Sequence, residues 1–540
     1  MDFNLADLFE AAVDAFPERE YLVAEGRRLT YAQMEEQANR LAHHLAAQGV
    51  GPGDHVGIYA LNSTEWVTTA WAVFKLRAVW VNINYRYVHD ELSYLFTNAD
   101  LVALVHQRQF SPRVAALLPE LPALRHVIVI DDDSQEPDPS PDAVGFEEAL
   151  ASGSAERDFG PRSGDDIYIL YTGGTTGMPK GVVWRHEDVF FALGGGIDAM
   201  TGTRMDRPQQ MVEKGQAQGG PLSFLPVAPL MHGATQWAVM GQSFTGNRIV
   251  LVAKFDPREV WSLVDREKIN MVMITGDAMG KPLIETLDEP DVNYDLSSLI
   301  GFTSTAALFS PSVKDEFFRH FPNLVMTDAI GSSESGNNGI THVKPGETAM
   351  KGGPTVTKVG ETVVFDEELN LVKPGSGVIG KIARSGNIPV GYYNDPNKTA
   401  EVFINVDGKR FVMPGDFATI EADGSVTLLG RGSICINSGG EKIFPEEVEA
   451  VVRSHPDVMD AIVVGAPDER FGQRVAAIVE PRHGHTAPSL EEVQEHCRGH
   501  VAGYKVPRQL HVVETIERSP SGKPDYRWAN TIVTSEPGAT

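Results

Sequence analysis

The stretch "YTGGTTGMPKGV", Tyr171 to Val182, decides how this chain is read. It mixes glycine with threonine and closes on Lys180. The common phosphate loop runs Gly-x-x-x-x-Gly-Lys-Ser/Thr and opens directly into a helix. Here Met178 and Pro179 separate Gly177 from Lys180, and Gly181 follows the lysine. "DIYILY" before the loop alternates like a strand, and "GVVW" after it is strand-like again. A helix is expected only from about His186. The unit is therefore strand, loop, strand. Thr172, Thr175 and Thr176 offer hydroxyl donors. Gly173, Gly174 and Gly177 let backbone N–H groups approach an anion closely. Pro179 stiffens the exit, and Lys180 adds positive charge. A glycine-rich surface turn is the plain alternative, and the ordered mixture of residue types favours the anion.

Outward from the loop, helix and strand patterns alternate over the first four-fifths of the chain. Thr30 and Gln33 have capping-box spacing ahead of a helix whose face is Met34, Ala38, Leu41 and Leu45, stopped by Gly51-Pro52-Gly53. "HVGIYAL", "LVALVH" and "HVIVIDD" read as short buried strands. Such alternation predicts α/β layers with mainly parallel sheets. Residues 131–142 and the polar stretch "RPQQMVEKGQAQGG" read as solvated loops. Near residue 430 the texture changes. "LLGRGSICINSGGEK" reads as a hinge, and after it come a Pro445-led helix, strands "DAIVVGA" and "RVAAIVEP", a helix capped by Ser489 and Glu492, and strand "QLHVVETI". The expected division is a large N-terminal domain of layered α/β subdomains, 1–430, and a small mobile C-terminal α+β domain, 431–540.

A chain of 540 residues is too long for one compact domain, and 42% apolar content is enough for substantial cores. The formal net charge of -27 repels nucleic acid and acidic membranes, so neither is an expected partner. An anionic small molecule in a local pocket is compatible with it. Cys435 and Cys497 are the only cysteines. That argues against a disulfide scaffold and fits a reducing cytoplasm. The N-terminus carries acidic residues and no basic n-region, and reads as an amphipathic helix on Leu5, Leu8, Phe9, Ala12, Val13 and Phe16 rather than a signal peptide. The longest apolar stretch is broken by Lys75 and Arg77, so no integral membrane segment is expected. The oligomeric state is left open, with a homodimer as one outcome.

"YTGGTTGMPKGV" resembles the signature loop of the adenylate-forming superfamily, which comprises acyl-CoA synthetases, peptide-synthetase adenylation domains and firefly-type luciferases. Further motifs similar to those of the family follow in order over nearly the whole length: "PLMHG" (229–233), "STAAL" (304–308), "DAIGSSES" (328–335), "FVMPGDFATI", "LLGRGS", "SGGEKIFPEEVE" (438–449) and "SPSGKPDYR". The resemblance implies catalytic roles for Lys523, His232 and Glu334. His232 would lie near the acyl carboxylate and adenylate. The nucleotide would be held by Thr172, Gly173, Gly174, Thr175, Thr176, Gly177 and Lys180, by Ser304, Thr305 and Ala306 at the adenine, and by Asp328, Ser332 and Ser333. Asp416 and Arg431 would serve the ribose and phosphate. Glu334, with Thr172, would hold Mg2+, a hard cation that takes oxygen ligands and offsets triphosphate charge. Ser438, Gly439, Gly440 and Glu441 would line the path of CoA. Three positions depart from the pattern, one of them Asn437, which replaces a frequent lysine. Ile330 stands where the family usually has an aromatic, and Ser433 stands at the hinge where Asp or Lys is usual.

The implied reaction is ATP-dependent acyl-CoA synthesis. A carboxylate becomes an acyl-adenylate with loss of pyrophosphate, and CoA then displaces AMP. ATP, Mg2+ and CoA are the expected cofactors, and a small-molecule carboxylic acid is the expected partner. The segments named for the acyl pocket carry Gly233, Ala234, Gly301, Ala306, Ala307, Gly331 and Gly336, with Trp237, and no Asp–Lys pair to read an amine. That favours a fatty, branched or steroid side-chain acid. A serine hydrolase is disfavoured because "GSSESG" has the wrong spacing for a nucleophile elbow. Another adenylate-forming enzyme, or a non-catalytic nucleotide-binding homologue, is the alternative. Lys523, Glu334 and Asp416 together argue against the latter.

Overall fold

The computed structural model describes residues 3–172, 178–193, 195–197, 203–307, 309–348, 354–431, 434–438, 441–468, 471–518 and 524–535. They fall into two compact units. One is Met1–Val272 with Asn387–Phe403, the other Met273–Gly386 with Ile404–Thr540.

In the first unit the N-terminal helix Leu5–Ala15 forms as expected. Asn4 caps it by accepting from the Ala6 N–H, and Leu5, Leu8, Phe9, Ala12 and Val13 are buried. Phe9 stacks on Trp71 at 4.2 Å between centroids. Thr30 and Gln33 make the full capping box ahead of Tyr31–Ala47. An eight-stranded sheet runs in the order 391–392, 180–185, 167–172, 79–82, 55–59, 101–107, 126–130, 144–145. From Ile167–Thr172 onward its neighbours are parallel, and each of these strands but the last is almost wholly buried. Only Lys180–Arg185 and the edge pair Gly391–Tyr392 run antiparallel to their neighbours. The stretch expected as a loop around residue 210 is instead the helix Gln209–Ala217. Its polar face hid its buried side. Met211 packs inward, and Gly215 sits so close to the Thr245 carbonyl that a Cβ would lie 2.0 Å from the oxygen.

The second unit corrects the expectation of mainly parallel pairing. Gly301–Thr305 runs parallel to Val325–Ser332. From there on, Gly336–Val343, Thr355–Lys358, Val426–Arg431, Asp416–Ile420 and Gly380–Ser385 are joined by antiparallel ladders. Tight turns such as Asp423-Gly424 connect them, and a connection that short cannot make a parallel crossover. Ile330, Val356, Val364, Ile382, Ala418, Ile420 and Val426 form the core beneath.

The C-terminal part has its own five-stranded sheet, ordered 441–443, 436–438, 472–481, 458–468, with 509–512 beside 472–481. Helices Pro445–Arg453 and Leu490–Arg498 cover one face through Val448, Val452, Val493 and Cys497. Tyr526–Ser535 covers the other through Ala529 and Val533. Pro445 takes the first helical turn and Ser489–Glu492 form a capping box, as the sequence predicts. The stretch read as a hinge begins inside a strand. Val426–Arg431 continues through Gly430, whose φ is 121°. A Cβ there would lie 2.1 Å from a Glu446 carboxylate oxygen.

Candidate functional site

Strand, loop, strand is the arrangement observed around Tyr171. Ile167–Thr172 and Lys180–Arg185 pair antiparallel, with Thr172 opposite Lys180, and the helix begins at His186. Gly173, Gly174, Thr175, Thr176 and Gly177 lie outside the described residues. The two residues at the mouth of the loop, Thr172 and Lys180, are both half-buried. Lys180 forms an ion pair with Asp395, and Asp395 also accepts from the Lys398 N–H at 2.9 Å as the cap of Pro396–Val402. Lys180 outweighs the burial of Asp395 and, with that N–H, holds its carboxyl below the ordinary range.

His232 ends the turn that follows Ser223–Pro226 and is the N-cap of helix Gly233–Phe244. Its carbonyl accepts from the Gln236 N–H at 3.2 Å. A Cβ on Gly233 next to it would lie 2.4 Å from the Leu170 side chain, which would have to shift. The start of the helix therefore lies close to Leu170, on the strand that leads into the loop. Trp237 on the same helix meets Trp184 edge-on at 6.3 Å.

The turn is suspended by three uncharged amides. Asn62 accepts from the Leu230 N–H at 2.6 Å and donates to the Val252 carbonyl at 3.0 Å. Gln236 donates to the Leu230 carbonyl at 2.8 Å, and Tyr168 donates to Gln236. Asn82 donates to the Met231 carbonyl at 2.6 Å and makes a two-point contact with the peptide of Tyr171. Sequence reading did not single out these amides. The available signal was a polar residue closing an otherwise apolar strand, "VWVN".

In the second unit, Ser304 and Asp328 are direct neighbours across a parallel ladder, as are Thr305 and Ala329. The Ser304 hydroxyl accepts from the Gly276 N–H at 3.1 Å. Ala306 adopts φ 65°, a left-handed conformation unusual for a residue with a side chain. Asp328 is buried and paired with the buried Lys314. Burial raises its carboxyl more than Lys314 lowers it, so it sits above the ordinary range. Ser332 ends strand Val325–Ser332, and Ser333 and Glu334 lie on the turn between it and Gly336–Val343. Ser332 and Ser335 share a hydrogen bond of 2.9 Å. Gly331 is required by close approach, since a Cβ would lie 2.2 Å from the Gly336 carbonyl oxygen. Ile330 belongs to the apolar core with Val356 and Val426. Its side chain is spent on packing and offers no stacking surface of the kind an aromatic supplies.

Asp416 and Arg431 are register partners on adjacent antiparallel strands. The two positions expected at the ribose thus share one rung. Ser438 pairs with both Glu441 and Gly472, at the edge of the C-terminal sheet. Gly439, Gly440, Ser433 and Lys523 lie outside the described residues. Among the described residues no cluster of His, Cys, Asp or Glu could hold a metal unaided. The Glu334 carboxylate and adjacent serine hydroxyls are oxygen donors, a set that suits Mg2+ with remaining positions open to phosphate and water. Among the described residues no helix is long and apolar enough to cross a membrane.

Comparison with known proteins agrees in fold and in extent. The family model described as AMP-binding enzyme matches residues 9–393, and that of the AMP-binding enzyme C-terminal domain matches 447–523. A 3-oxocholest-4-en-26-oate–CoA ligase of Rhodococcus rhodochrous is 51% identical, covering 98% of this chain and 96% of the relative. A medium/long-chain-fatty-acid–CoA/3-oxocholest-4-en-26-oate–CoA ligase of Mycolicibacterium smegmatis is 52% identical, covering 99% and 98%. An anthranilate CoA ligase solved with anthranoyl-AMP shares the fold at a TM-score of 0.84 and 23% identity over 99% of both chains.

Proposed function

This chain belongs to the AMP-binding enzyme family, and on that premise we propose that it joins a bulky apolar carboxylic acid, a steroid side-chain acid or a branched or long fatty acid, to CoA. Its activity class is that of an AMP-forming acid–thiol ligase. The observation that carries the substrate is identity above 50% across nearly the full length of relatives named for 3-oxocholest-4-en-26-oate. The small residues beside Trp237 in the pocket segments support it.

In the first half-reaction a carboxylate oxygen attacks the α-phosphorus of ATP. The new P–O bond forms as the bond to pyrophosphate breaks. Two anions must meet, so the site needs fixed positive charge and donors rather than a strong base. We assign donors to Thr172, Ser332, Ser333 and the loop 173–177, and charge to Lys180 and Lys523. Ser304, Thr305 and Ala306 hold the adenine, Asp328 contributes to the nucleotide site, and Asp416 and Arg431 serve the ribose and phosphate. Glu334 and Thr172 would hold Mg2+, which when bound neutralises phosphate charge. In the second half-reaction the CoA thiolate attacks the acyl carbonyl, and AMP leaves. Ser438, Gly439, Gly440 and Glu441 line its approach. We assign the exchange between the two states to movement of residues 431–540 about Ser433, in the cytoplasm.

The test is a panel of acids scored by CoA thioester formation with ATP and Mg2+. Each buried methylene is worth about 0.8 kcal/mol, so activity climbs roughly fourfold per methylene until the pocket is full. Ring-bearing or branched acids rank first. Best activity with acetate or an amino acid overturns the assignment.

A further inference from the structure

Strand Val79–Asn82 is buried throughout and runs parallel to Ile167–Thr172, in register at Val81 and Ile169. One residue further on, a side chain takes over the work of the ladder. The Asn82 amide oxygen accepts from the Tyr171 N–H at 2.7 Å, and its nitrogen donates to the Tyr171 carbonyl at 2.9 Å. The other hydrogen on that nitrogen goes to the Met231 carbonyl at 2.6 Å. Two carbonyls and one N–H around the group leave a single orientation for the amide. Asn82 is 3% exposed, so water cannot replace these bonds.

Tyr171 immediately precedes Thr172 and the glycine-rich loop. Met231 immediately precedes His232. One buried amide therefore grips both chains at the residue before each expected functional position. Asn62 grips the same turn at Leu230 and ties it to Val252, and among the described residues no hydrogen bond joins it to the loop strand. Both asparagines hold the turn, and of the two Asn82 alone also holds the loop strand, which makes Asn62 a control for it.

We propose that Asn82 is a positioning residue that sets the Tyr171 strand end, which leads to the phosphate loop, and the His232 turn in a fixed mutual geometry, coupling nucleotide binding to acid binding. The proposal rests on the ligase reading given above. Proximity effects are steep, and a misplacement of about 1 Å costs on the order of 100-fold in rate.

Acid-dependent ATP–pyrophosphate exchange tests it, with the KM for ATP and the KM for the acid measured separately. Asn82→Ala raises both, each on the order of tenfold, as one lost grip loosens both chains. Asn62→Ala raises the acid KM alone. If Asn82→Ala does not fold, Asn82→Ser, which keeps one donor and one acceptor, carries the same comparison. A coupled rise with Asn82 and a one-sided rise with Asn62 supports the proposal. Variants that lose thermal stability but keep both KM values, or move only one, overturn it. A parent protein without exchange on any acid overturns the ligase reading itself and the proposal with it.

Discussion

The turn that ends at His232 is held by uncharged amides, whereas the chain that leaves at Arg518 and returns at Pro524 is held by ions. Arg453 is 3% exposed. It donates to Glu449 at 2.7 Å and to Asp460 at 3.0 Å. Asp460 also accepts from Arg518 at 2.7 Å, and Arg518 bridges to Pro524. Glu449 accepts from the Val463 N–H at 3.0 Å and from the Tyr526 hydroxyl at 3.3 Å. Arg518 and Tyr526 thus anchor the two sides of the segment that includes Lys523. Amides fix geometry without a field, so the first network is indifferent to pH and salt. Buried ions fix geometry only while every partner is present, because an unpaired buried charge is far more costly than an unpaired amide.

The comparison breaks most sharply at the residue the ionic anchors flank. Lys523→Ala lowers acyl-adenylate formation about 100- to 1000-fold, the usual cost of losing a transition-state charge contact. Thioester formation from supplied acyl-adenylate is largely spared. Equal loss in the two half-reactions, assayed separately, removes Lys523 from the first. Next in size is Arg453→Met, which takes the cation from Glu449 and leaves Asp460 to Arg518. It destabilises the C-terminal part by about 3–5 kcal/mol, seen as an earlier transition in urea. Replacing Arg453, Glu449 and Asp460 together by apolar residues recovers much of that loss. An unchanged transition in the single variant shows that the ions contribute nothing.

The smallest effects are in acid. Burial would raise the Asp460 carboxyl, but Arg518 and Arg453 beside it outweigh that and bring it to about 2. A depressed carboxyl contributes stability that is complete above its ordinary value of 3.8 and is lost as pH falls toward 2. In the other unit, burial and then His44, 2.9 Å away, lower His126 from 6.5 to about 4. A depressed histidine contributes in the same direction, so that stability is lost between pH 6.5 and 4. Unfolding measured by pH should therefore show a histidine step first, reduced but not abolished in His126→Asn because burial also lowers His106 and His186 to about 4, and a carboxylate step below it. Asn62→Ala should lower stability equally at pH 8 and pH 5, since no proton is involved.

Much of the fold was legible where a local rule speaks for itself. Thr30 with Gln33 and Ser489 with Glu492 announced their helices, and Pro445 announced a third. The flanks of the glycine-rich loop announced two strands. The helix Gln209–Ala217 was not legible, because one buried methionine and a close-packed glycine leave no apolar stripe to count. The antiparallel half of the second unit was missed because strand direction is set by connection length, not by residue type. Motif order over 171–527 indicated the family, and the family match agrees with it. Asn82 and Asn62 left no such trace, since the backbone groups they bind lie up to 190 positions away in sequence.

The edge pairing of Gly391–Tyr392 on Lys180–Arg185 bears on how the chain is made. The first unit takes its last strand from beyond residue 386, after an intervening stretch that belongs to the second. On the ribosome, the 180–185 edge waits for a partner roughly 200 residues downstream, about 10–40 s at ordinary elongation rates of 5–20 residues per second. During that interval Val183 and Gly181 offer the backbone groups that Val390 and Tyr393 later occupy. An open strand edge is a template for wrong pairing. The nascent protein is thus most exposed to aggregation between the synthesis of its phosphate loop and the arrival of Asp395, and a stall in that window is more damaging than one after it.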